Sequence, residues 1–183
     1  FVLQRRNTKV SQKIITFFVI GLIIPGQIIP TYMLCNYLHL KTFIGAAAVL
    51  TAATLPLGIF LYIGALKSIP RDIDEAAILD GCGTWTLFFR VIFQLMKPMT
   101  VTLFILTFMN IWNEYFISLI FASSSDIMPV GPGLKSVLSS MQYTGDWGGL
   151  FAAVVIVFLP TLLLYVFLSE KIISGVTGGG IKG

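Results

Sequence analysis

Four long stretches, three without any charge and one with a single carboxylate, constrain this chain more than any other feature. Residues 14–34, 42–66 and 147–169 contain no Asp, Glu, Lys or Arg, and residues 98–122 contain only Glu114. A transmembrane helix needs about 20 predominantly apolar residues to cross a hydrocarbon core of roughly 30 Å. Each stretch is long enough, and each far exceeds the roughly 9–11 residues of a barrel strand. None alternates as a strand would. Inside lipid every backbone N–H must find its partner within the protein, which helices of this length achieve on their own. The composition agrees, with 56% hydrophobic and 11% charged residues, outside the balance of a soluble domain. The expected fold class is all-α, a polytopic helical bundle crossing the lipid bilayer with four spans at about 14–34, 42–66, 98–122 and 147–169.

Orientation follows from the basic residues, because short loops rich in Lys and Arg stay in the cytoplasm. With the amino end inside, Arg5, Arg6, Lys9, Lys13, Lys67, Arg71, Arg90, Lys97, Lys171 and Lys182 face the cytoplasm, and only Lys41 and Lys135 face outward. The net charge of +4 then reports topology, not nucleic-acid binding. Cys35 falls at an outer helix end and Cys82 in the cytoplasmic loop, so no disulfide is expected between them. The opening "FVLQRRNTKVSQK" reads as the end of an earlier helix running into a basic loop, with no initiator Met and no signal-peptide pattern. The expectation is a carboxyl-terminal part of a longer protein, forming a single transmembrane domain over residues 1–183.

The polar loop between the second and third spans, residues 67–97, carries the stretch "DEAAILDG". Pro70 suits a first helical turn, Asp72, Asp74 and Glu75 favour a positive helix amino end, and Gly81 supplies a left-handed stop. A helix of about ten residues is expected there, restarting after Gly83 and Thr84 at Trp85. Ala76, Ala77, Ile78 and Leu79 give it an apolar face that the loop cannot bury by itself. Two readings are open: a capped connector lying at the membrane interface, or a contact surface for a partner.

"EAAILDG", followed by the aromatic and basic run "TWTLFFRVIFQLMKP", resembles the EAA loop of the inner-membrane subunits of binding-protein-dependent ABC importers. In that family the loop is a coupling helix that docks into a cleft on a cytoplasmic ATPase subunit. The family pattern is Glu-Ala-Ala, three residues, Gly, nine residues, then Ile-x-Leu-Pro. Glu75, Ala76, Ala77 and Gly81 match and Val91 is conservative, whereas Phe93 and Gln94 depart from the pattern and leave open whether Pro98 takes over the proline break. The resemblance implies ATPase coupling through Asp74, Glu75, Ala76, Ala77, Asp80 and Gly81. "IWNEYFISLIF", "MPVGPGL" and the Gly-rich ending "SEKIISGVTGGGIKG" are similar to segments of carbohydrate importers of the maltose permease type. The similarity runs from Phe1 to Gly183. It implies a sugar or oligosaccharide permease of six helices in the full chain, with the first span and most of the second missing here. The implied setting is the bacterial inner membrane, and the implied partners are a second permease subunit, a cytoplasmic ATPase dimer and an extracytoplasmic solute-binding protein.

In the third span Asn110, Asn113 and Glu114 lie at helical spacings of three and four, so Asn110 and Glu114 are expected on one face. A carboxylate near a helix centre costs about 2.5–3.5 kcal/mol on insertion scales, so Glu114 must be paired, protonated or near water. Either this face belongs to the solute pathway or to a contact with the second subunit, with Trp112 and Tyr115 able to stack on a sugar ring, or Glu114 is simply solvated near the outer surface. The Ala-rich run "GAAAVLTAA" suits close helix packing. Pro25, Pro56 and Pro160 are expected to kink their helices.

No catalytic constellation is visible. The phosphate-loop pattern G-x-x-x-x-G-K-[ST] does not occur, and "GCGTWT" lacks the third glycine of a dinucleotide fingerprint. His39 is the only histidine and has no neighbours at metal-ligand spacing, so neither metal nor cofactor is expected. ATP hydrolysis is expected on another chain. The alternative to an ATP-driven importer is an ion-coupled secondary transporter or channel subunit. That reading requires ion-binding groups within the spans, and beyond Glu114 almost none are present.

Overall fold

The computed structural model describes residues 1–121 and 129–178, with side chains described as far as residue 167. Residue 122 at the end of the third stretch, Met128 of "MPVGPGL", and residues 179–183 of the Gly-rich ending, with Lys182, lie outside the described residues. Among the described residues there is no strand, and the architecture is all-α. In chain order the helices are α1 Val2–Arg6, α2 Lys9–Ile23, α3 Ile28–Tyr37, α4 Phe43–Lys67, α5 Asp72–Leu79 and α6 Thr84–Thr86. A π-helical segment Leu87–Ile92 follows, then α7 Phe93–Leu95, α8 Lys97–Trp112, α9 Phe116–Phe121, α10 Val130–Thr144 and α11 Trp147–Gly178.

By length and composition α4 and the Trp147–Phe167 part of α11 can each cross a membrane, and the number rises to four if two broken helix pairs each count as one span. The stretch 14–34 forms one such pair. Ile24, held extended at ψ 119° ahead of Pro25, ends α2, and the chain re-enters a helix at Ile28. Pro25 thus breaks the helix, whereas Pro56 and Pro160 lie inside α4 and α11, which continue through them. Large apolar side chains such as Phe151, Val155, Ile156 and Tyr165 point outward, as a surface facing lipid requires.

The contacts divide the chain into two compact units. The first takes in Phe1–Pro25, Thr54–Ile105 and the described end of α11 from Glu170. Its core gathers Leu66, Ala77, Leu87, Ile92 and Met96, with Ile92 and Leu66 almost completely buried. Gly21 faces the Pro56 ring and Gly58 faces Leu103, so absent side chains let α2, α4 and α8 approach closely. The Tyr62 hydroxyl and the Thr100 hydroxyl are 3.0 Å apart, and Thr100 in turn donates to the Met96 carbonyl at 3.1 Å. That chain of bonds sits where the helix axis bends by 70° between Thr84–Leu95 and Lys97–Trp112. Met96 is the hinge, and Pro98 occupies the first turn after it, where its missing N–H leaves no intrahelical bond unmade.

The second unit comprises Gly26–Ala53 and Leu106–Ser169. Cys35, Ala46 and Phe121 form its buried cluster, and Tyr32 meets Phe121 edge-on at 6.4 Å. The turn into α4 is tight: His39 adopts φ +56°, Leu40 N–H returns to the Cys35 carbonyl at 2.8 Å, and a Cβ at position 45 would collide with the Leu40 carbonyl. Cys35 and Cys82 are both free thiols.

Candidate functional site

The loop residues form a structured projection within the first unit. Helix α5 starts at Asp72 with Asp72, Asp74 and Glu75 in its first turn, where the exposed amide groups favour negative charge. It stops after Leu79. Gly81, at φ +82°, occupies the left-handed position that closes the helix, and its N–H reaches the Ile78 carbonyl at 2.9 Å while that of Cys82 reaches Ala77 at 2.9 Å. These bonds turn the chain sharply toward Gly83, which caps α6.

The helix has two faces of opposite character. Ala77 is buried in the core cluster, packed with Leu66, Leu87 and Ile92, while Ile69 and Cys82 close the rim. Asp74 is also turned inward: its carboxylate receives Arg5, with Nε at 2.7 Å from Oδ2 and Nη2 at 3.0 Å from Oδ1. The same guanidinium donates to the Ile69 carbonyl at 3.2 Å, and Arg71 donates to the Arg5 carbonyl at 3.3 Å. On the other side Glu75, Ala76, Ile78, Leu79, Asp80 and Gly81 are exposed, Leu79 at 87%. Trp85 and Phe89 continue the exposed apolar surface, stacked with ring centroids 6.0 Å apart. Of the six loop residues singled out in the sequence, Glu75, Ala76, Asp80 and Gly81 therefore face outward, while Asp74 and Ala77 anchor the helix from beneath. Arg5 was not singled out, because it lies 69 residues from its partner and no local spacing links the two.

The segment from Asn110 to Tyr115 belongs to the second unit, and its geometry departs from the expected continuous helix. Helix α8 ends at Trp112, so Asn110 and Glu114 do not lie on successive turns of one helix face. Glu114 instead caps α9, its Oε1 accepting from Ile117 N–H and its Oε2 from Ser118 N–H, both at 2.9 Å. The carboxylate thereby meets two of the four unpaired amides and the positive end of the next helix, which answers the demand for a partner. Asn113 is exposed and donates to the Met109 carbonyl at 2.7 Å, and Asn110 is exposed as well.

Trp112 and Tyr115 already have protein partners. Trp112 stacks on Phe108 at 5.4 Å, and its indole N–H donates to the Val157 carbonyl at 3.1 Å. Tyr115 packs against Gly131, where a Cβ would lie 3.3 Å from its ring, and Lys135 stands 5.9 Å over that ring. The segment is a helix break held by aromatic and capping contacts, with the two asparagines on its outside.

The family described as binding-protein-dependent transport system inner membrane component matches residues 2–174. The chain is 32% identical to "Probable starch degradation products transport system permease protein AmyC" of Thermoanaerobacterium thermosulfurigenes, over all of this chain and 66% of the relative. It is 30% identical to the melibiose/raffinose/stachyose import permease protein MelC of Bacillus subtilis, over all of this chain and 67% of the relative. A sulfoquinovosyl glycerol transport system permease protein, SmoH of Agrobacterium fabrum, is 28% identical over all of this chain and 65% of its own length. The chain thus spans about two thirds of the length of these relatives.

Proposed function

We propose that this chain, which belongs to the family of binding-protein-dependent transport system inner membrane components, is a permease subunit of an ATP-driven importer for a sugar or oligosaccharide. The relatives named for starch products, raffinose-type sugars and sulfoquinovosyl glycerol support a carbohydrate cargo. On this reading a second permease subunit completes the translocation pathway, a solute-binding protein delivers cargo from outside, and a cytoplasmic ATPase dimer supplies the energy.

The observation that carries the reading is the two-faced α5. A helix of eight residues is too short to be stable alone, yet this one is fixed from beneath by Ala77 and by the Arg5–Asp74 pair while it holds Ile78 and Leu79 in the open. Exposed apolar side chains on a rigid support suit a partner cleft. Leu79 and Ile78 supply the buried contact, and Glu75 and Asp80 meet basic groups at its rim. Small Ala76 allows close approach. The inward residues Asp74 and Ala77 serve coupling by fixing the angle at which the helix projects.

In the second unit Glu114, Trp112 and Tyr115 fix the helix break, and Asn110 and Asn113 present amides to the solute pathway or to the second permease subunit. Exposed amide groups are suited to the hydroxyls of a polar solute, and the Asn113 side-chain oxygen can still accept while its NH2 is held by the Met109 carbonyl.

Copurification tests the central claim. The parent chain, expressed with its partners, should retain the ATPase in detergent, and Leu79→Asp, which places a charge at the centre of the contact, should release it while the permease remains in the membrane. Retention of the ATPase by that variant overturns the docking role of α5. Uptake driven by an ion gradient without any ATPase would favour a secondary transporter.

A further inference from the structure

The Arg5–Asp74 pair joins the first helix to α5 by charge, beside the apolar contact that Phe1 makes with Phe88 and the buried cluster. Arg5 stands in the last turn of α1, which is five residues long. Asn7, at φ +44°, turns the chain directly after it, and Thr8 caps α2 by accepting from Ser11 N–H at 3.2 Å. Only two residues therefore separate α1 from α2. On the other side, Asp74 lies in the first turn of α5, and Ile69 and Arg71 lie in the segment leading into it. The guanidinium bridges the Asp74 carboxylate and the Ile69 carbonyl, and Arg71 reaches back to the Arg5 carbonyl. Each side thus holds the other through a charged group and a backbone carbonyl.

The pair is well shielded, at 14% and 13% exposure of the two side chains. The guanidinium makes two directed hydrogen bonds, Nη2 to Asp74 Oδ1 and Nη1 to the Ile69 carbonyl, with Nε in ionic contact with Oδ2 only. This planar arrangement fixes direction as well as distance, which a lysine ammonium cannot do. An ion pair of this kind is weak evidence for added stability but well suited to specifying one arrangement.

We propose that Arg5 is a positioning residue that clasps α5 to the start of α2, so that displacement of the coupling helix is passed to α2 through α1 as well as to α4 and α8 through the buried cluster. The inference rests on the docking role given to α5 above and adds a second route for movement. The route is electrostatic and directional, whereas the Leu66, Ala77 and Ile92 cluster is apolar and its contacts are non-directional. Breaking the clasp leaves the outer face of α5 intact, so ATPase association and transport separate.

The experiment uses the reconstituted complex with its ATPase and solute-binding protein. Arg5→Gln should keep the ATPase bound but lower solute taken up per ATP hydrolysed by about fivefold or more, the low end of an allosteric coupling interaction. Arg5→Lys should fall between the two, since it keeps the charge and loses the fork. Arg5→Asp and Asp74→Arg should each impair coupling, and the double exchange should restore part of it. A merely structural role would change the amount of inserted protein without changing the ratio of uptake to hydrolysis. Parent-like coupling in Arg5→Gln overturns the clasp, whatever Leu79→Asp does; release of ATPase by Leu79→Asp shows that the docking reading still stands in that case.

Discussion

The indole N–H of Trp112 donates to the carbonyl of Val157 at 3.1 Å, in the turn of α11 that precedes Pro160. Proline has no N–H and its ring presses on the carbonyl four residues earlier, so this turn of the helix is where the backbone ladder is loosened. The carbonyl that loses its helical donor to Pro160 is that of Ile156, and the indole ties the end of α8 to the adjacent Val157 carbonyl in the same turn. In an apolar setting such a bond is strong, because the alternative is an unsatisfied polar group.

Trp112→Phe keeps an aromatic ring beside Phe108 and removes the donor. The expected loss is about 1 kcal/mol, the net worth of one hydrogen bond, visible as a lower thermal midpoint of the purified permease. Trp112→Ala should cost more than Trp112→Phe but less than the roughly 3–5 kcal/mol of a fully buried aromatic, because Trp112 is half-buried. If Trp112 instead works by stacking on solute, Trp112→Phe will change the solute concentration at half-maximal uptake without moving the thermal midpoint.

Glu114 gives a different contrast. Glu114→Ala removes both acceptors from the amino end of α9 and should destabilise the second unit by about 1–2 kcal/mol, as loss of a helix cap does. Glu114→Gln retains one acceptor oxygen and loses the charge, so its stability should lie between Ala and the parent, with the amount of inserted protein unchanged. Reduced uptake by Glu114→Gln at parental stability would place the carboxylate in the solute pathway in addition to its capping role. The two variants are compared by thermal denaturation and by uptake in proteoliposomes.

What the sequence disclosed and what it concealed follow from the range of the forces involved. The all-α bundle was legible because apolar length is a local property, readable wherever about 20 uncharged residues follow one another. The left-handed stop at Gly81 was legible for the same reason, since one residue type dominates that conformation. The breaks were not. Pro25, Pro56 and Pro160 look alike in the sequence, but only Pro25, followed by Gly26 and preceded by an extended Ile24, ends its helix. Between Trp112 and Phe116 no proline or glycine marks the interruption, and it is the capping geometry of Glu114 that accounts for it. The inward turn of Asp74 depends on Arg5, and such a pairing leaves no trace in local spacing.

Topology gives a further prediction, resting on the arrangement expected from the sequence, in which ten Lys and Arg face the cytoplasm and two face outward. A cysteine at Asp146, exposed between α10 and α11, should react with an impermeant thiol reagent added outside intact cells. A cysteine at Thr86, exposed in α6, should react only after the membrane is opened. Thr86 is preferred to native Cys82, which packs partly against the buried cluster of the first unit and would react slowly on either side. The reverse labelling pattern would invert the whole arrangement and move α5 away from any cytoplasmic ATPase.

Gly81 separates conformational strain from crowding. Nothing lies within 4 Å of the position a Cβ would take, so a side chain there meets open space, but φ is +82°. The left-handed region costs an ordinary residue roughly 1–2 kcal/mol, and more for a β-branched one. Asn, which tolerates that region, should be nearly silent, Ala should cost about 1 kcal/mol, and Val should be the most disruptive. The strain is relieved by unwinding the Gly81 and Cys82 amide bonds to α5, which turns Leu79 and Asp80 away from their present direction. Gly81→Val should therefore weaken ATPase copurification and lower solute-stimulated hydrolysis, with normal amounts of protein in the membrane. The order Asn, Ala, Val is the diagnostic. If affinity for the ATPase falls with side-chain volume alone, so that Asn is as damaging as Val, the partner surface itself contacts this glycine and the backbone conformation is secondary.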